Sequence, residues 1–497
     1  MKKLFLISLI FLSINSLAQF ATMFNDTLKP FGEGGYDFAC VTQDDSFYYA
    51  LGGVNNYEPY WSNMIVKYDK NFNIVNKQKY IDIAWRYANY PYNTIVVNEK
   101  QILTCPQVFN DSATFGKIMS IDKYSLDTLW TKIITHPDTI IANQPNSGQF
   151  SDLTSIKQTL DGGYILTGNY NKNCITANLR SFLLKIDSIG NVEWRRTYPN
   201  ISYLYDIELT PNGGYIVINK NWGTIIVELD SIGNIIWQQK INTDTINANV
   251  SDMSYSGNNT FVGIVKYIKN GNISYPEYGL IVFKINISTK QIIWQKKYNI
   301  YKSLKCVGLH QAMGVETLSD GSIIVNGTVI KYGTDYSAFI LKLNTNGDSL
   351  WTKTYCYKNS NISRSQLNDL MACDDGGFLG VGFYSAQAGG VSTAWMFKTD
   401  ANGLVGWESP KPKGKSEIFK VWPNPARDYV NIEFAKNLKQ ESEIIIYNSL
   451  GQRVKTLILQ KQQLEKEIHL QGFKTGIYYF ELRANNSIIG TGKFIKE

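Results

Sequence analysis

The sequence predicts an all-β chain built from copies of one four-stranded unit, and three observations carry that expectation. A motif of three apolar residues, a variable residue, one further apolar residue and Asp or Asn recurs at a period near 55 residues. Short apolar runs are bounded by Asp-Gly and Asn-Gly turns, where glycine supplies positive φ and the acid accepts a local N–H. Aromatics reach 13 %, with 32 Tyr and 11 Trp against 3 His, which favours strands over histidine-based chemistry.

The 497 residues exceed one ordinary domain and carry a net charge of +7. Residues 411–497 hold 15 basic and 9 acidic side chains, so the basic excess belongs to the tail and the preceding body is close to neutral. Nucleic-acid binding needs a concentrated basic footprint, and none is expected here.

At the N-terminus Lys2-Lys3, an apolar run from Leu4 to Ile14 and Ser16-Leu17-Ala18 read as a signal peptide cut after Ala18. The run is shorter than the roughly 20 residues of a membrane span, and no transmembrane segment is expected elsewhere. Six cysteines follow with no zinc spacing. Either buried thiols or disulfides fit them, and Cys356 with Cys373 is the first pair to consider because it closes a short loop.

Motif copies end at Asp69, Asp122, Asp187, Asp230, Asn286, Asn344 and Asp400. In the clearest unit, strands at 152–158, 164–168, 182–186 and 192–198 are separated by Asp161-Gly162-Gly163, a longer connection, and Asp187-Ser188-Ile189-Gly190-Asn191. Four antiparallel strands copied radially make a β-propeller of about seven blades, with an eighth only if residues 20–35 hold more than a closing strand. Tryptophan recurs after the second turn, at Trp130, Trp194, Trp237, Trp294, Trp351 and Trp407. A residue fixed in the repeat belongs to its packing, so these are expected to dock blade on blade rather than to stack a ligand.

The units Asp161 to Trp194 and Asn212 to Trp237 best match a pattern of Asp-Gly-Gly-Tyr, then apolar-Gly, then Lys-apolar-Asp, then Gly-Asn-apolar-apolar-Trp. They resemble a family of exported bacterial β-propellers over roughly residues 36–408. That resemblance implies the fold and no activity.

With strands A to D in each blade, the A–B and C–D turns share one face and the B–C and D–A connections the other. The first set is short and uniform and the second varies, so a ligand is expected on the second. Aromatics gather there: Tyr57, Tyr60, Trp61, Tyr170, Trp222, Tyr275, Tyr278, Tyr332 and Tyr336 are the candidate ligand-binding residues for a glycan or protein.

No catalytic residue, metal ligand or cofactor is expected. His136 and His310 sit in no nucleophile or metal motif, Asp44-Asp45 and Asp374-Asp375 fall in A–B turns, and Asn344 to Asp348 is a C–D turn lacking the glutamate of a calcium loop. A quinone-dependent dehydrogenase propeller shares the scaffold but usually adds adjacent cysteines, which this chain lacks. The alternative kept open is an extracellular hydrolase or lyase acting on polysaccharide in the central funnel.

After a charged linker at 409–417, short alternating strands containing Pro423-Asn424-Pro425, Gly451, Gly476-Ile477-Tyr478 and Lys493 to Lys496 predict a small Ig-like β-sandwich over 418–497. These segments, in that order, resemble the type A C-terminal sorting domain of the type IX (Por) secretion system, with Trp422 where Tyr is usual. The resemblance implies Sec export, passage through the outer-membrane translocon, and removal of the tail by a sortase-like protease. The product would be attached to surface lipopolysaccharide or released, a secreted or cell-surface protein with an unknown extracellular ligand. The expected layout is therefore 1–18 signal peptide, 19–35 N-terminal segment, 36–408 propeller, 409–417 linker and 418–497 sorting domain.

Overall fold

The computed structural model describes residues 24–31, 35–55, 61–82, 86–88, 94–109, 113–135, 149–171, 179–201, 203–219, 225–241, 247–269, 277–300, 308–330, 335–357, 363–387, 390–405, 419–434, 441–448, 452–484 and 487–497. The chain divides into two units, Met1–Gly406 and Trp407–Glu497.

In the first unit, blade 1 is β2 (Gly35–Gln43), β3 (Phe47–Asn55), β4 (Trp61–Asp69) and β5 (Ile74–Tyr80), preceded in the chain by β1 (Phe24–Leu28). Blade 2 is the irregular one. It uses β6 (Arg86–Ala88), β7 (Ile95–Val97), β8 (Gln101–Thr104), β9 (Gln107–Phe109), β10 (Ala113–Asp122) and β11 (Thr128–Ile134), with Cys105-Pro106 interrupting its second strand. Proline has no N–H for the ladder, so the break falls where the sequence dictates.

Blade 3 is β12 (Gln149–Gln158), β13 (Tyr164–Asn171), β14 (Leu179–Ile186) and β15 (Val192–Tyr198). Blade 4 is β16 (Leu204–Leu209), β17 (Tyr215–Asn219), β18 (Ile225–Leu229) and β19 (Ile235–Lys240). Blade 5 is β20 (Asn247–Tyr255), β21 (Thr260–Lys269), β22 (Glu277–Asn286) and β23 (Gln291–Tyr298). Blade 6 is β24 (Gly308–Thr317), β25 (Ile323–Ile330), β26 (Tyr336–Leu343) and β27 (Ser349–Tyr355). Blade 7 takes β28 (Arg364–Ala372), β29 (Phe378–Ser385) and β30 (Ser392–Lys398) from its own repeat, and β1 as its outer strand.

That last pairing closes the ring at seven blades among the described residues. Phe24 to Leu28 run antiparallel to Lys398 to Ala394, so the described residues near the N-terminus supply one strand to blade 7. Phe24 stands opposite Lys398, the register that Trp194 holds against Lys185 and Trp351 against Lys342. Trp407, expected to fill that slot, lies outside the described residues.

Each interface between neighbouring blades has its own apolar cluster, seven in all. The seam between blades 7 and 1 is one of them: Tyr36, Phe38, Ala50 and Val66 meet Leu379, Val381 and Met396. The others bind blades 1 to 2, 2 to 3, 3 to 4, 4 to 5, 5 to 6 and 6 to 7 in turn. The third strand of each blade contributes to the clusters on both sides, as Phe339 and Leu341 do to one and Ala338 and Ile340 to the other. That double burial is why these segments are apolar at consecutive positions. The outer strands alternate exposed and half-buried and carry Lys77, Lys132, Arg196, Lys296 and Lys353, charges that discourage edge pairing.

Each of the five described tryptophans of the repeat meets the C–D turn of the next blade. A Cβ at Gly190 would lie 2.5 Å from Trp130, at Gly347 2.9 Å from Trp294 and at Gly403 2.6 Å from Trp351, so each indole rests on the positive-φ glycine of the next blade's C–D turn. Gly233 receives Trp194 in the same way, at 3.1 Å. Blade 5 departs from the pattern: Lys290, with φ 61°, takes the glycine's place and lays its ammonium 5.3 Å from the Trp237 ring. A second device accompanies the first. The tyrosine ending the outer strand donates to the carbonyl at the same turn position, Tyr80 to Leu126 at 2.8 Å, Tyr198 to Gly233 at 2.6 Å and Tyr355 to Gly403 at 2.8 Å. Gly403→Ala therefore combines a left-handed backbone with a clash against both Trp351 and Tyr355. It is expected to cost about 2–3 kcal/mol, read as a lower midpoint in urea unfolding.

The second unit holds β31 (Phe419–Trp422), β32 (Tyr429–Phe434) and β35 (Glu465–His469) in one sheet. The other sheet has β33 (Ser442–Tyr447), β34 (Arg453–Leu459), β36 (Gly476–Ala484) and β37 (Ser487–Lys496). Val430, Ile432 and Ile468 from the first meet Ile444, Ile446, Tyr478, Phe480 and Phe494 from the second, a two-layer sandwich core.

Of the two readings of the cysteines, the Cys356–Cys373 pair is not formed, and Cys40, Cys105 and Cys373 are buried thiols. Cys356 ends an outer strand on the loop face, whereas Cys373 lies past the far end of β28 in an A–B turn. Nine extended residues, about 30 Å, separate the two faces, far beyond disulfide reach. Burial pushes the Cys373 thiol up to about 12.

Candidate functional site

Three regions gather chemistry, and the uniform turn face is explained most fully. Asp69, Asp122, Asp187, Asp230, Asn344 and Asp400 each accept N–H groups from their own C–D turn, as Asp187 does from Ile189 at 3.0 Å and Asn191 at 2.7 Å. The A–B turn acids do the same. Asp44 accepts from Ser46 and Phe47 and pairs with Lys123 at 2.9 Å, which overcome burial and hold it at about 2. Asp375 binds the buried Lys398 at 2.8 Å. These acids are occupied in closing turns and pinning the third strand.

On the axis the sequence reading found no site, and the structure brings carboxyl groups together there. The first strand of each blade touches the first strand of the next, so these strands form the inner ring. Register shifts in β2, β12, β16, β20, β24 and β28 insert extra residues and re-aim the side chains that follow. Asp206 accepts the Ser155 hydroxyl at 3.0 Å and the Met253 N–H at 3.2 Å; Asp252 accepts the Val315 N–H at 2.8 Å. Glu316 accepts the Ala372 N–H at 2.8 Å, and Asp369 the Val41 N–H at 2.9 Å. Lys157 donates to Glu208 at 2.8 Å.

Burial raises Glu208, Glu316 and Asp252 above the usual carboxylate range, with the neighbouring Asp206 adding to the effect at Asp252. Burial likewise lifts Asp369, to about 7. Burial opposes the charge on Lys157, but Glu208, Asp206 and Asp252 outweigh it and hold the ammonium above the ordinary lysine value. Perturbed acids in a funnel are what a hydrolase would use. Here three of them, Asp252, Glu316 and Asp369, reach across a blade boundary to a backbone N–H, as Asp206 also does, which makes them lacing between blades. Among the described residues, no group of three or more His, Cys, Asp or Glu could hold a metal ion.

The aromatics expected on the loop face are described in part. Tyr57, Tyr60, Trp222, Tyr275 and Tyr332 lie outside the described residues. Trp61 opens β4 and Tyr278 is the second residue of β22, which places both backbones at that face. Tyr170 corrects the expectation: it belongs to β13, is fully buried, and packs its ring 6.2 Å from Phe182 in the interface between blades 2 and 3. Alternation along an apolar strand drives it inward, so it offers no stacking surface.

Tyr336 is half-buried at the start of β26, and Arg364 lies 4.8 Å over its ring. Here blades 6 and 7 join through a parallel pairing of Tyr336 with Arg364. Tyr357 and Tyr384, half-buried, meet edge to face at 5.0 Å on the same face. Neither Arg364 nor Tyr357 was singled out from the sequence. The signal lay in their position at strand ends facing the variable connections.

In the C-terminal unit the sorting residues converge. Asn424 accepts the Ile495 N–H at 2.9 Å and donates to the Lys493 carbonyl at 3.5 Å; Ala426 and Ile495 are joined at 2.7 Å. Pro423 and Pro425, both after cis peptide bonds, flank it. Gly476 pairs with Lys496, and Tyr478 stacks on Phe494 at 5.5 Å. Gly451 lies outside the described residues. Asn424→Ala removes both side-chain ties to the last strand, and the chain is expected to accumulate in the periplasm, visible by immunoblotting of cell fractions.

The family model of the secretion system C-terminal sorting domain matches residues 420–497. The chain therefore carries a Por sorting tail, and export by the type IX system places its product at the cell surface or outside the cell. No curated protein matches it. Among solved structures, a Bacteroides caccae protein of unknown function shares 12 % identity at TM-score 0.37, with 64 % of this chain and 97 % of that chain covered. The β-propeller domain of the Trilobed protease from Pyrococcus furiosus shares 10 % at TM-score 0.42, covering 74 % and 100 %. Quinohemoprotein alcohol dehydrogenase from Comamonas testosteroni shares 10 % at TM-score 0.44, covering 82 % and 79 %. Likeness at this level says nothing about activity.

Proposed function

We propose that this propeller, carried outside the cell by its Por sorting tail, is a binding or adhesion module that takes a glycan or protein ligand on the loop face. One observation carries the reading: the turn face is closed by its own side chains, whereas half-buried tyrosines and an arginine sit at strand ends on the opposite face. Rigid rings at the ends of packed strands give contact area at low conformational cost. A glycan array probed with the full chain tests it. Binding is expected, and is expected to fall when Trp222, Tyr275 and Tyr278 are replaced by Ala. Binding unchanged by those replacements and by Tyr336→Ala would remove the loop face from consideration.

A second reading rests on the raised carboxyl groups of the axis. If the protein is instead a polysaccharide hydrolase or lyase, turnover survives the aromatic replacements and is lost in Glu208→Gln or Glu316→Gln.

A further inference from the structure

We infer that the sorting unit is read on the outer face of its four-stranded sheet, at a corner formed by Ile477, Ile495, Tyr479 and Lys493, by a component of the export machinery that offers an apolar surface bordered by an acid; this rests on the Por tail and is independent of what the propeller binds. The first observation is the chemistry of the corner. The sandwich core takes Tyr478, Phe480 and Phe494, so alternation turns Ile477, Tyr479, Lys493 and Ile495 outward. Ile477 is paired with Ile495, and Tyr479 lies between Lys493 on one side and Tyr447 on the other. The two isoleucines are 42 % and 41 % exposed. Asn424 takes the Ile495 N–H and Ala426 its carbonyl, both on the side away from β36. The isoleucines therefore form a non-hydrogen-bonded pair, the kind that brings side chains closest, and leave one aliphatic surface exposed on a unit whose core is already filled.

The second observation is how the corner is held. The Asn424 side chain grips the backbone at Ile495 and Lys493, the two residues of the last strand that face outward here. Directly beneath, Tyr478 stacks on Phe494 at 5.5 Å. Because Asn424 and Ala426 occupy the outer edge of β37 at this point, a partner finds no open ladder to extend. What the corner presents is side chains on a fixed backbone, as a recognition site requires.

The third observation sets aside the opposite face. On the three-stranded sheet Glu433 stands opposite Glu465, with Glu467 two residues on, and all three are exposed. Covering that face with protein would strip water from three carboxylates. Its exposed aromatics, Trp422 and Tyr429, stand opposite Asn431 and His469 rather than a second apolar residue. The exposed charge at the corner is Lys493, so its complement carries an acid.

The test is export of the full chain in cells that carry the type IX system, followed by immunoblotting of the periplasm, the cell surface and the medium. Ile477→Thr with Ile495→Thr keeps the β-branching that suits a strand and removes the aliphatic surface. It is expected to lower the exported fraction by about tenfold, with the chain held in the periplasm. Lys493→Glu is expected to lower it severalfold, and Lys493→Arg to leave it unchanged. Glu465→Gln with Glu467→Gln, on the opposite face, should export as the parent does. The purified isoleucine variant should keep the parent's urea midpoint; if the midpoint falls, Lys493→Glu, which changes an exposed side chain, decides in its place. Undiminished export of the deciding variant would overturn the inference. Lost export of the glutamate variant at a parent-like midpoint would also overturn it, by moving recognition to the three-stranded sheet.

Discussion

A chain deleted from residue 19 to Leu28 is expected to be exported poorly and, when purified, to unfold at a markedly lower temperature than the parent. The deletion removes β1, whose five residues complete blade 7 by pairing with Ala394 to Lys398. Without it β30, buried through most of its length, becomes an unpaired edge lined by Ala394, Trp395, Met396 and Phe397. Losing several ladder hydrogen bonds at about 1 kcal/mol each, and part of the cover of Met396 in the seam cluster, amounts to roughly 5 kcal/mol. For a unit of this size each kcal/mol moves the midpoint by about 2 °C or slightly more, so a drop near 10 °C is expected in calorimetry. The exposed edge also predicts concentration-dependent association by strand pairing. A parent-like midpoint in the deleted chain would mean that β1 does not close the ring.

The closing strand also marks where sequence reading reached its limit. Seven blades, the third-strand motif and the tryptophan docking were legible because each repeats with a fixed period and fixed turn chemistry, as Gly190 and Gly403 do. The strand that completes blade 7 repeats nothing: Phe24-Asn25-Asp26-Thr27-Leu28 lacks the tryptophan and lies far from the blade in sequence, while Trp407 stood in the expected place. Tyr170 was misplaced for a related reason. A tyrosine at the end of an apolar strand reads as a loop residue until the neighbouring blade that buries it is known. The axial acids were hidden differently. Asp206, Asp252 and Asp369 look like isolated acids in apolar strands, and only bulges shared by six inner strands aim them at the next blade. Arg364 was invisible because its partner Tyr336 belongs to another repeat, joined to it by one parallel pairing.

The axial acids give the other large effect, a stability that falls as pH rises from about 4 to 7. Asp369 is mostly enclosed, and its folded-state value of about 7 exceeds the roughly 3.9 of an unfolded aspartate. Within that window the native chain holds a proton that the unfolded chain has released, so its contribution is complete below pH 4 and lost on rising through 7. Three units correspond to at most about 4 kcal/mol, and Glu208, Glu316 and Asp252, also raised, act in the same direction. The turn acids work oppositely and lower down. Asp44 and Asp161, held near 2, contribute stability above pH 4 that disappears on acidification towards 2. Urea midpoints are therefore expected to rise from pH 2 to about 4 and then decline towards 7. Asp369→Asn keeps an oxygen for the Val41 N–H that joins blade 7 to blade 1, but not the second oxygen that accepts from Leu370. The variant should be less stable than the parent at pH 4 by about 1 kcal/mol or more and should shed much of the decline, matching or exceeding the parent at pH 8. An undiminished decline in the variant would move the titration to Glu316, Glu208 and Asp252 and leave Asp369 as lacing alone.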